Sequence, residues 1–463
     1  MSNSEKYAQL RKQYPTFCYE SFSCNATAEG LRIKFRFTAG NDIVFEPETT
    51  IPARSFVDFG RLSEKQYNML VFQMGMVELV SYWKCVCSPK VIIKPFALGA
   101  EEIEFWKKLY FNGLGEFFYI NGITATQDDF MQIECLSGKS HEPLRFDTDA
   151  DSYLVPIGGG KDSVVTLELL RKSGCKIRPL IINPRGATTQ CAQIAGFGES
   201  DVFEFRRAIH PRLLELNAQG YLNGHTPFSA MLAFYTLLAS ALTGYGHVAL
   251  SNENSANEAT VIGTSVNHQY SKSLEFEDDF RQYVRKFVSP DFDYFSFLRP
   301  LSELQIAMLF AENRQYFDVF RSCNAGSKQN IWCCNCPKCL FAYIILSPFI
   351  APAEMERVFG KNLLDEPAMR PYLDELRGLA PTKPFECVGT ISEVNAALAM
   401  TKRRFYANGG APLLLQDFDG TFDKAALSDF CTKNNLSEPL QTLLRSEVKK
   451  AQAEFQNAVE GIV

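Results

Sequence analysis

Near its start the chain alternates apolar and polar residues through Leu31-Arg32-Ile33-Lys34-Phe35-Arg36-Phe37, the period of a strand with one face in a core. Ala39-Gly40-Asn41-Asp42 then supplies turn residues before Ile43-Val44-Phe45, so a hairpin is expected. The period lengthens to that of an amphipathic helix over residues 63–84, which open on Ser63-Glu64 and carry Tyr67, Leu70, Val71, Met74 and Val77 at helical spacing. A second amphipathic helix is expected near residues 101–110. Together these elements predict an α+β domain over residues 1–148.

At Asp149-Ala150-Asp151-Ser152 the pattern changes. Residues 153–157 read as a short apolar strand, a glycine loop follows, residues 163–172 read as a helix, and 176–183 as a second strand. A strand–loop–helix–strand run of this length is the signature of a parallel sheet. Further strands are expected at 201–205 and 247–251, with helices at 211–219 and 228–243. The alternation predicts an α/β, doubly wound, mostly parallel sheet over residues 149–350. A mostly helical region is expected over 351–463, with loops near 381–384 and 408–412.

No charged residue occurs from Leu216 through Asn252. Polar residues break the first part of that stretch, and Gly244 and Gly246 end the apolar run after Thr243. The run is shorter than the roughly 20 apolar residues a membrane span needs and reads as a helix inside a core. The first residues lack the basic-then-apolar order of a signal peptide. A cytoplasmic protein without membrane association is therefore expected.

Composition adds little to the fold and more to the partners. Of 463 residues, 46% are hydrophobic and 22% charged, a globular balance. Net charge is −6 with the basic residues scattered, which argues against a nucleic-acid partner. Fourteen cysteines are present, four of them between Cys333 and Cys339, too close together for bridges among themselves. A reducing compartment and a metal site fit that crowding better than disulfides.

The loop itself is Gly158-Gly159-Gly160-Lys161-Asp162-Ser163. Glycines between a strand and a helix let backbone N–H groups approach a phosphate, and the helix N-terminus favours negative charge. It is not a Walker A loop, which needs Gly at 155 and Ser or Thr after Lys161, where this chain has Val155 and Asp162. Ser163 likewise rules out the Rossmann Gly-x-Gly-x-x-Gly. What remains resembles the Ser-Gly-Gly-x-Asp-Ser loop of N-type ATP pyrophosphatases, with Gly158 at the first Ser. That resemblance implies ATP and magnesium: Gly159, Gly160 and Ser163 on the phosphates, Asp162 placing the metal, Lys161 adding a point charge. Asn183 and Arg185, closing the second strand, are expected near the nucleotide.

Cys333-Cys334-Asn335-Cys336-Pro337-Lys338-Cys339 contains Cys-x-x-Cys-x-x-Cys, and Cys323 precedes it. Four thiolates so spaced suit a tetrahedral structural zinc. Cys323, Cys333, Cys336 and Cys339 also resemble the zinc site of queuosine-pathway nitrile synthases. An iron–sulfur cluster, or reduced cysteines in a turn, are the alternatives. Cys334 is surplus to four-coordination.

Several blocks sharpen the resemblance. Val155-Pro-Ile-Gly-Gly-Gly-Lys-Asp-Ser163, Asn223-Gly-His-Thr-Pro-Phe-Ser229, Ser251-Asn-Glu-Asn-Ser-Ala-Asn-Glu258, Asn267-His-Gln-Tyr-Ser-Lys-Ser273 and Ser322-Cys-Asn324 with Cys336-Pro-Lys-Cys339 resemble the ATP-dependent UDP-N-acetyl-α-D-muramoyl-L-alanyl-L-glutamate epimerase family of bacterial wall synthesis. Cys334 departs from the Gly expected in the last block. The resemblance implies a nucleotide-sugar peptide substrate whose terminal L-Glu is adenylated, inverted to D-Glu and released with AMP and diphosphate. His268, in a polar loop, and His225, just before the apolar helix, are the candidate proton carriers. Glu253 and Glu258 are placed to orient a base or hold magnesium, and Lys272 to meet substrate carboxylate or phosphate. Cys191 is a weaker acid–base candidate. Rival functions are another adenylating pyrophosphatase, of nitrile-synthase or tRNA-thiolase type, and a non-enzymatic ATP-sensing module. Asp417-Phe-Asp419-Gly-Thr421 matches a phosphatase nucleophile motif, but only 42 residues follow it, too few for that fold; it is expected to be a turn.

Overall fold

A computed structural model describes residues 1–55, 59–422 and 424–458. Its strands, in chain order, are β1 (Thr16–Thr27), β2 (Gly30–Ala39), β3 (Ile43–Phe45), β4 (Glu48–Pro52), β5 (Lys90–Ile93), β6 (Gln132–Cys135), β7 (Asp149–Pro156), β8 (Lys176–Ile182), β9 (Phe203–Ala208), β10 (Tyr245–Leu250) and β11 (Asp293–Ser296). The chain divides into two compact units. The first holds Met1–Leu154, Ser200–Val248 and Val266–Tyr294, and the second Val155–Glu199, Ala249–Ser265 and Phe295–Val463.

In the first unit the expected hairpin forms: β2 and β3 pair antiparallel, with Phe37 opposite Phe45. Every second residue of β2 from Leu31 to Phe37 is buried, as its sequence alternation requires. β1, a 12-residue strand that the sequence pattern did not announce, pairs antiparallel with β2 and parallel with β5, giving the order β9-β4-β2-β1-β5-β6. In the same unit β7 and β10 pair in parallel, His247 opposite Tyr153.

The helix Glu64–Trp83 starts where expected, with Ser63 accepting from Gln66 N in a reciprocal capping box. It is not amphipathic, however. Met69 through Val80 are all buried, Gln73 and Glu78 among them, because one side meets β1 and another the apolar helix Phe228–Thr243. Glu78 is tolerated there because it is paired: Oε2 accepts from Arg207 Nη2 at 2.8 Å, and Oε1 from the Tyr235 hydroxyl at 2.7 Å. The helix Phe228–Thr243 has the expected bounds and ends on Gly244 in the left-handed conformation. Among the described residues no helix is long and apolar enough to cross a membrane.

In the second unit the expected strand–loop–helix–strand run is present. β7 leads into the glycine loop, the helix Lys161–Lys172 follows, and β8 returns beside β7, with Ile157 N donating to Leu180 O at 2.8 Å. Phe297 N donates to Leu250 O at 2.7 Å, so the ends of β10 and β11 are also adjacent. Helices alternate with strands from β7 to β11, and helices Pro352–Phe359, Arg370–Leu376, Ile391–Tyr406 and Glu438–Ala458 follow without further strands. The α/β doubly wound class with a helical C-terminal region is therefore the one observed. β9 starts and ends later than expected, and β10 starts two residues earlier, directly after Gly244.

Candidate active site

The glycine loop occupies the carboxyl end of β7, where ligands of such sheets sit. Gly159 has φ +82°, and a Cβ there would lie 2.8 Å from Ala187 Cβ, 2.9 Å from Ala187 C and 3.0 Å from Thr188 N. Only glycine fits both the backbone angle and the space. Gly159 O accepts from Arg321 N at 2.8 Å, which fixes the loop from a second side. Gly160 caps the helix Lys161–Lys172 without a side chain, an arrangement in which an external anion completes the first turn. The Ser163 hydroxyl donates back to Gly160 O at 3.0 Å.

Lys161 is buried, and its ammonium is ion-paired with both Asp162 and Glu303. Burial opposes that charge, but the two carboxylates outweigh it and hold the lysine protonated. Glu303 is pushed well above the carboxylate range, first by burial and then by Asp162, Glu253 and Glu393, against the pull of Lys161. Glu303 N donates to Glu393 Oε1 at 2.8 Å. Glu253 is buried in this acidic group, and its carbonyl accepts from Nη1 of the fully buried Arg299 at 2.7 Å. Glu258 instead pairs with Lys383. Glu303, Glu393 and Arg299 were not singled out from sequence. Arg299 and Glu303 follow β11 closely, a position the strand-end rule covers, whereas Glu393 on the helix Ile391–Tyr406 has no such local signal.

Asn183, just past β8, has φ +53°, and Arg185 is the N-cap of the helix Gly186–Ile194. That helix begins against Gly159, as the Ala187 and Thr188 distances above require. The structure thus brings Asn183 and Arg185 into the segment that abuts the loop. Cys191 lies on the same helix with its Sγ 3.8 Å from Gly159 O. Burial pushes its thiol up to about 12, so it is not a thiolate at neutral pH.

The four cysteines also converge in the second unit. Cys323 and Cys336 Sγ lie 3.9 Å apart, Cys333 and Cys339 3.8 Å. Four sulfurs each about 2.3 Å from one tetrahedral ion are about 3.8 Å from each other, so the set has the dimensions of a zinc site. Cys336 N-caps the helix Pro337–Leu346, which fixes two of the four positions from one helix turn. Cys334 points away, its Sγ bonded to Phe359 O at 3.1 Å. Its φ of +51° is the conformation glycine favours, which accounts for the Gly expected there. Asp417 and Asp419 are exposed in an irregular turn, not on a strand end as a phosphatase nucleophile would be.

The two candidate histidines meet in the first unit on a residue the sequence did not flag. His268 Nδ1 donates to Glu116 Oε2 at 2.5 Å, and His225 Nδ1 lies 3.7 Å from the same oxygen. The two rings are 4.3 Å apart between centroids. A carboxylate on Nδ1 fixes the tautomer with Nε2 as the acceptor. His225 is held down to about 4, first by burial and then by the adjoining His268, with Lys84 and Lys272 adding to this and Glu116 opposing it. It is therefore neutral at physiological pH. The three ligand atoms lie within 4.8 Å of one another, close enough for a cation, but the charges of Lys84 and Lys272 oppose one there. Glu116, in the short helix Gly115–Ile120, sits in Leu-Gly-Glu-Phe-Phe and reads in sequence as an ordinary first-turn acid.

These features define a class: an α/β protein with a tight glycine turn between a strand end and a helix start, a four-cysteine site of metal dimensions, and a carboxylate-oriented histidine pair. Known sequences place it further. Residues 8–297 match the MurL N-terminal domain and residues 319–421 the MurL C-terminal domain. A UDP-N-acetyl-alpha-D-muramoyl-L-alanyl-L-glutamate epimerase of Salinispora tropica is 38% identical over 327 residues, 69% of this chain and 70% of the relative. A protein of the same name from Xanthomonas oryzae pv. oryzae is 33% identical over 402 residues, 85% and 87% of the two chains. One from a Micromonospora species is 35% identical over 333 residues, 71% and 73%. The chain belongs to this epimerase family.

Proposed function

We propose that the protein inverts the terminal L-glutamate of UDP-N-acetylmuramoyl-L-alanyl-L-glutamate, and that it does so by first adenylating the glutamate carboxylate with ATP. Membership of the family carries the epimerase reading. The observation that carries ATP use is the Gly159 seat, with backbone on two sides and a helix N-terminus beyond it.

The chemistry explains why the two belong together. While the α-carboxylate is ionised, removing the α-proton builds a second negative charge beside the first. Conversion of the carboxylate to an acyl-adenylate, with diphosphate leaving, removes that charge and acidifies the α-carbon. Proton removal and return then invert the centre, and hydrolysis yields the D-glutamyl product and AMP. The loop amides, Ser163 and the helix terminus would hold the phosphates. Asp162, half-buried where Glu303 is fully buried, is the residue suited to magnesium, which typically takes one or two carboxylates and the phosphates themselves. Magnesium would offset phosphate charge during adenylyl transfer. Lys161 keeps Asp162 and Glu303 in place, and Asn183 and Arg185 flank the nucleotide side of the loop. His268, oriented by Glu116, is the base, with neutral His225 beside it. Lys272 is a partner for a substrate carboxylate or phosphate. The four cysteines would hold a structural zinc that ties Cys323 to the helix Pro337–Leu346.

Product analysis tests the reading. With ATP, magnesium and the L-glutamyl substrate, the protein should form AMP and diphosphate in a substrate-dependent way, and Asp162→Asn should slow this at least about 100-fold. Formation of ADP and phosphate, or AMP formation indifferent to the substrate, would contradict it. The rival sensing function predicts ATP binding with neither product.

A further inference from the structure

Inversion needs a proton to leave one face of the α-carbon and another to arrive on the opposite face. His225 and His268 do not form that opposing pair. Their rings are 4.3 Å apart, in van der Waals contact, and both turn Nδ1 towards one oxygen of Glu116. A carbon between two bases needs them about 6 Å apart, twice the roughly 3 Å reach of a single proton transfer. Rings that touch and converge on one carboxylate oxygen act as a single cluster, on one face of the carbon.

The first unit holds a second titratable group at this cluster. Lys84 follows the helix Glu64–Trp83, is buried, and donates from Nζ to Gly224 O, the carbonyl next to His225. The charged and titratable groups around it are Glu116, Arg207, Cys85 and His225. Arg207 is committed to Glu78 through two bonds, and the Cys85 thiol is pushed up to about 12 by burial. Of the two cations that act on His225, Lys84 is buried and Lys272 only half-buried, so Lys84 is the one whose surroundings favour giving up its proton. Burial, against Cys85 and then aided by Arg207, brings it down to about 8, the range in which a lysine works as an acid or a base near neutral pH.

We propose that Lys84 is the second proton-transfer group of the epimerase, serving the face opposite to the one served by His268. This rests on the epimerase reading above. In the L-to-D direction the α-C–H bond breaks, the proton goes to His268 Nε2, and the electron pair enters the enolate of the activated carboxyl. The enolate carbon then takes a proton from the Lys84 ammonium, leaving a neutral amine. Solvent exchange returns both groups to their starting states, and no oxidant or reductant is involved.

The test follows deuterium and configuration separately, with full-length protein, ATP, magnesium and the L-glutamyl substrate in deuterated water. In Lys84→Gln, His268 should still exchange the α-proton on its own face. Deuterium should therefore enter the recovered L-glutamate within about tenfold of the wild-type turnover, while D-glutamate formation falls at least about 100-fold. Lys84→Arg keeps the charge and a donor for Gly224 O but does not deprotonate, and should behave in the same way. Inversion restored by arginine, inversion within threefold of wild type in Lys84→Gln, or equal loss of exchange and inversion would each overturn the assignment. Should neither variant fold, the wild-type L-to-D rate decides: a fall as pH rises through about 8 supports Lys84, and a level rate beyond it overturns it. Wild-type protein that neither exchanges nor inverts would instead refute the epimerase reading, a different outcome from any of these.

Discussion

Substituting neighbouring glycines of the loop should have opposite consequences, and the contrast tests whether the Gly159 seat is what the loop depends on. In Gly159→Ala, the φ of +82° costs an L-residue about 1–2 kcal/mol. The added Cβ also meets Ala187 Cβ at 2.8 Å and backbone atoms of Ala187 and Thr188 at 2.9 and 3.0 Å. Backbone at a helix start does not swing aside as a flexible side chain does, so overpacking of about 1–3 kcal/mol is added. The sum is about 2–5 kcal/mol, taken either as lost stability or as displacement of the loop amides. Gly158, one residue earlier, has nothing within 4 Å of its would-be Cβ. Gly158→Ser should change stability by less than about 0.5 kcal/mol and bind ATP at least as well as the wild type. Denaturant unfolding and calorimetric titration with a non-hydrolysable ATP analogue measure both quantities. For Gly159→Ala the expected result is a lower midpoint or nucleotide binding weakened at least about tenfold, which corresponds to 1.4 kcal/mol. Wild-type behaviour of Gly159→Ala in both measurements would refute the reasoning, as would a Gly158→Ser variant impaired as strongly as Gly159→Ala.

Three further outcomes are expected. Glu116→Gln removes the charge that orients His268, so kcat for inversion should fall about 10–100-fold with KM little changed and with partial recovery in Glu116→Asp; a KM effect alone would assign Glu116 to substrate binding. Cys336→Ser should abolish the zinc found by elemental analysis of purified wild-type protein and lower its unfolding midpoint, whereas equal, near-zero zinc in both proteins would retire the site. His225 has its folded pKa depressed from 6.5 to about 4, so between those values the unfolded chain binds the extra proton and stability falls as pH drops. The cost is absent above about 6.5 and complete below about 4, at most roughly 3 kcal/mol, and a His225→Asn variant whose acid limb matched the wild type would contradict the assignment.

Local periodicity made some elements legible and hid others. β2 alternates because one face is buried, and Phe228–Thr243 stands out because no charge interrupts it. β1, Thr-Phe-Cys-Tyr-Glu-Ser-Phe-Ser-Cys-Asn-Ala-Thr, has Phe17, Tyr19 and Phe22 as its large apolar residues, only the first two are buried, and its second half is mostly exposed, so pairing with β2 as much as its own pattern makes it a strand. The helix Glu64–Trp83 reads as amphipathic because Gln73 and Glu78 are polar. Only the fold supplies the Arg207 and Tyr235 partners that let Glu78 be buried.

The same distinction applies to the site. The glycine loop and the cysteine set are contiguous or nearly so in sequence, and their spacing carries their geometry. Glu116 lies 109 residues before His225 and 152 before His268, and Lys84 is farther still. Nothing local to Leu-Gly-Glu-Phe-Phe or Tyr-Trp-Lys-Cys sets either residue apart. Their role arises from tertiary proximity, as does the acidic group in which Glu303 and Glu393 join Asp162.

The central claim, inversion of a stereocentre driven by ATP cleavage, is tested most directly by one incubation in deuterated water. Protein, ATP, magnesium and UDP-N-acetylmuramoyl-L-alanyl-L-glutamate are combined, and AMP, glutamate configuration and α-deuterium are read from the same sample. The account predicts D-glutamate carrying solvent deuterium at the α-carbon, with at least one AMP formed for each inversion. AMP without inversion or deuterium uptake, or inversion that proceeds without ATP, would contradict it.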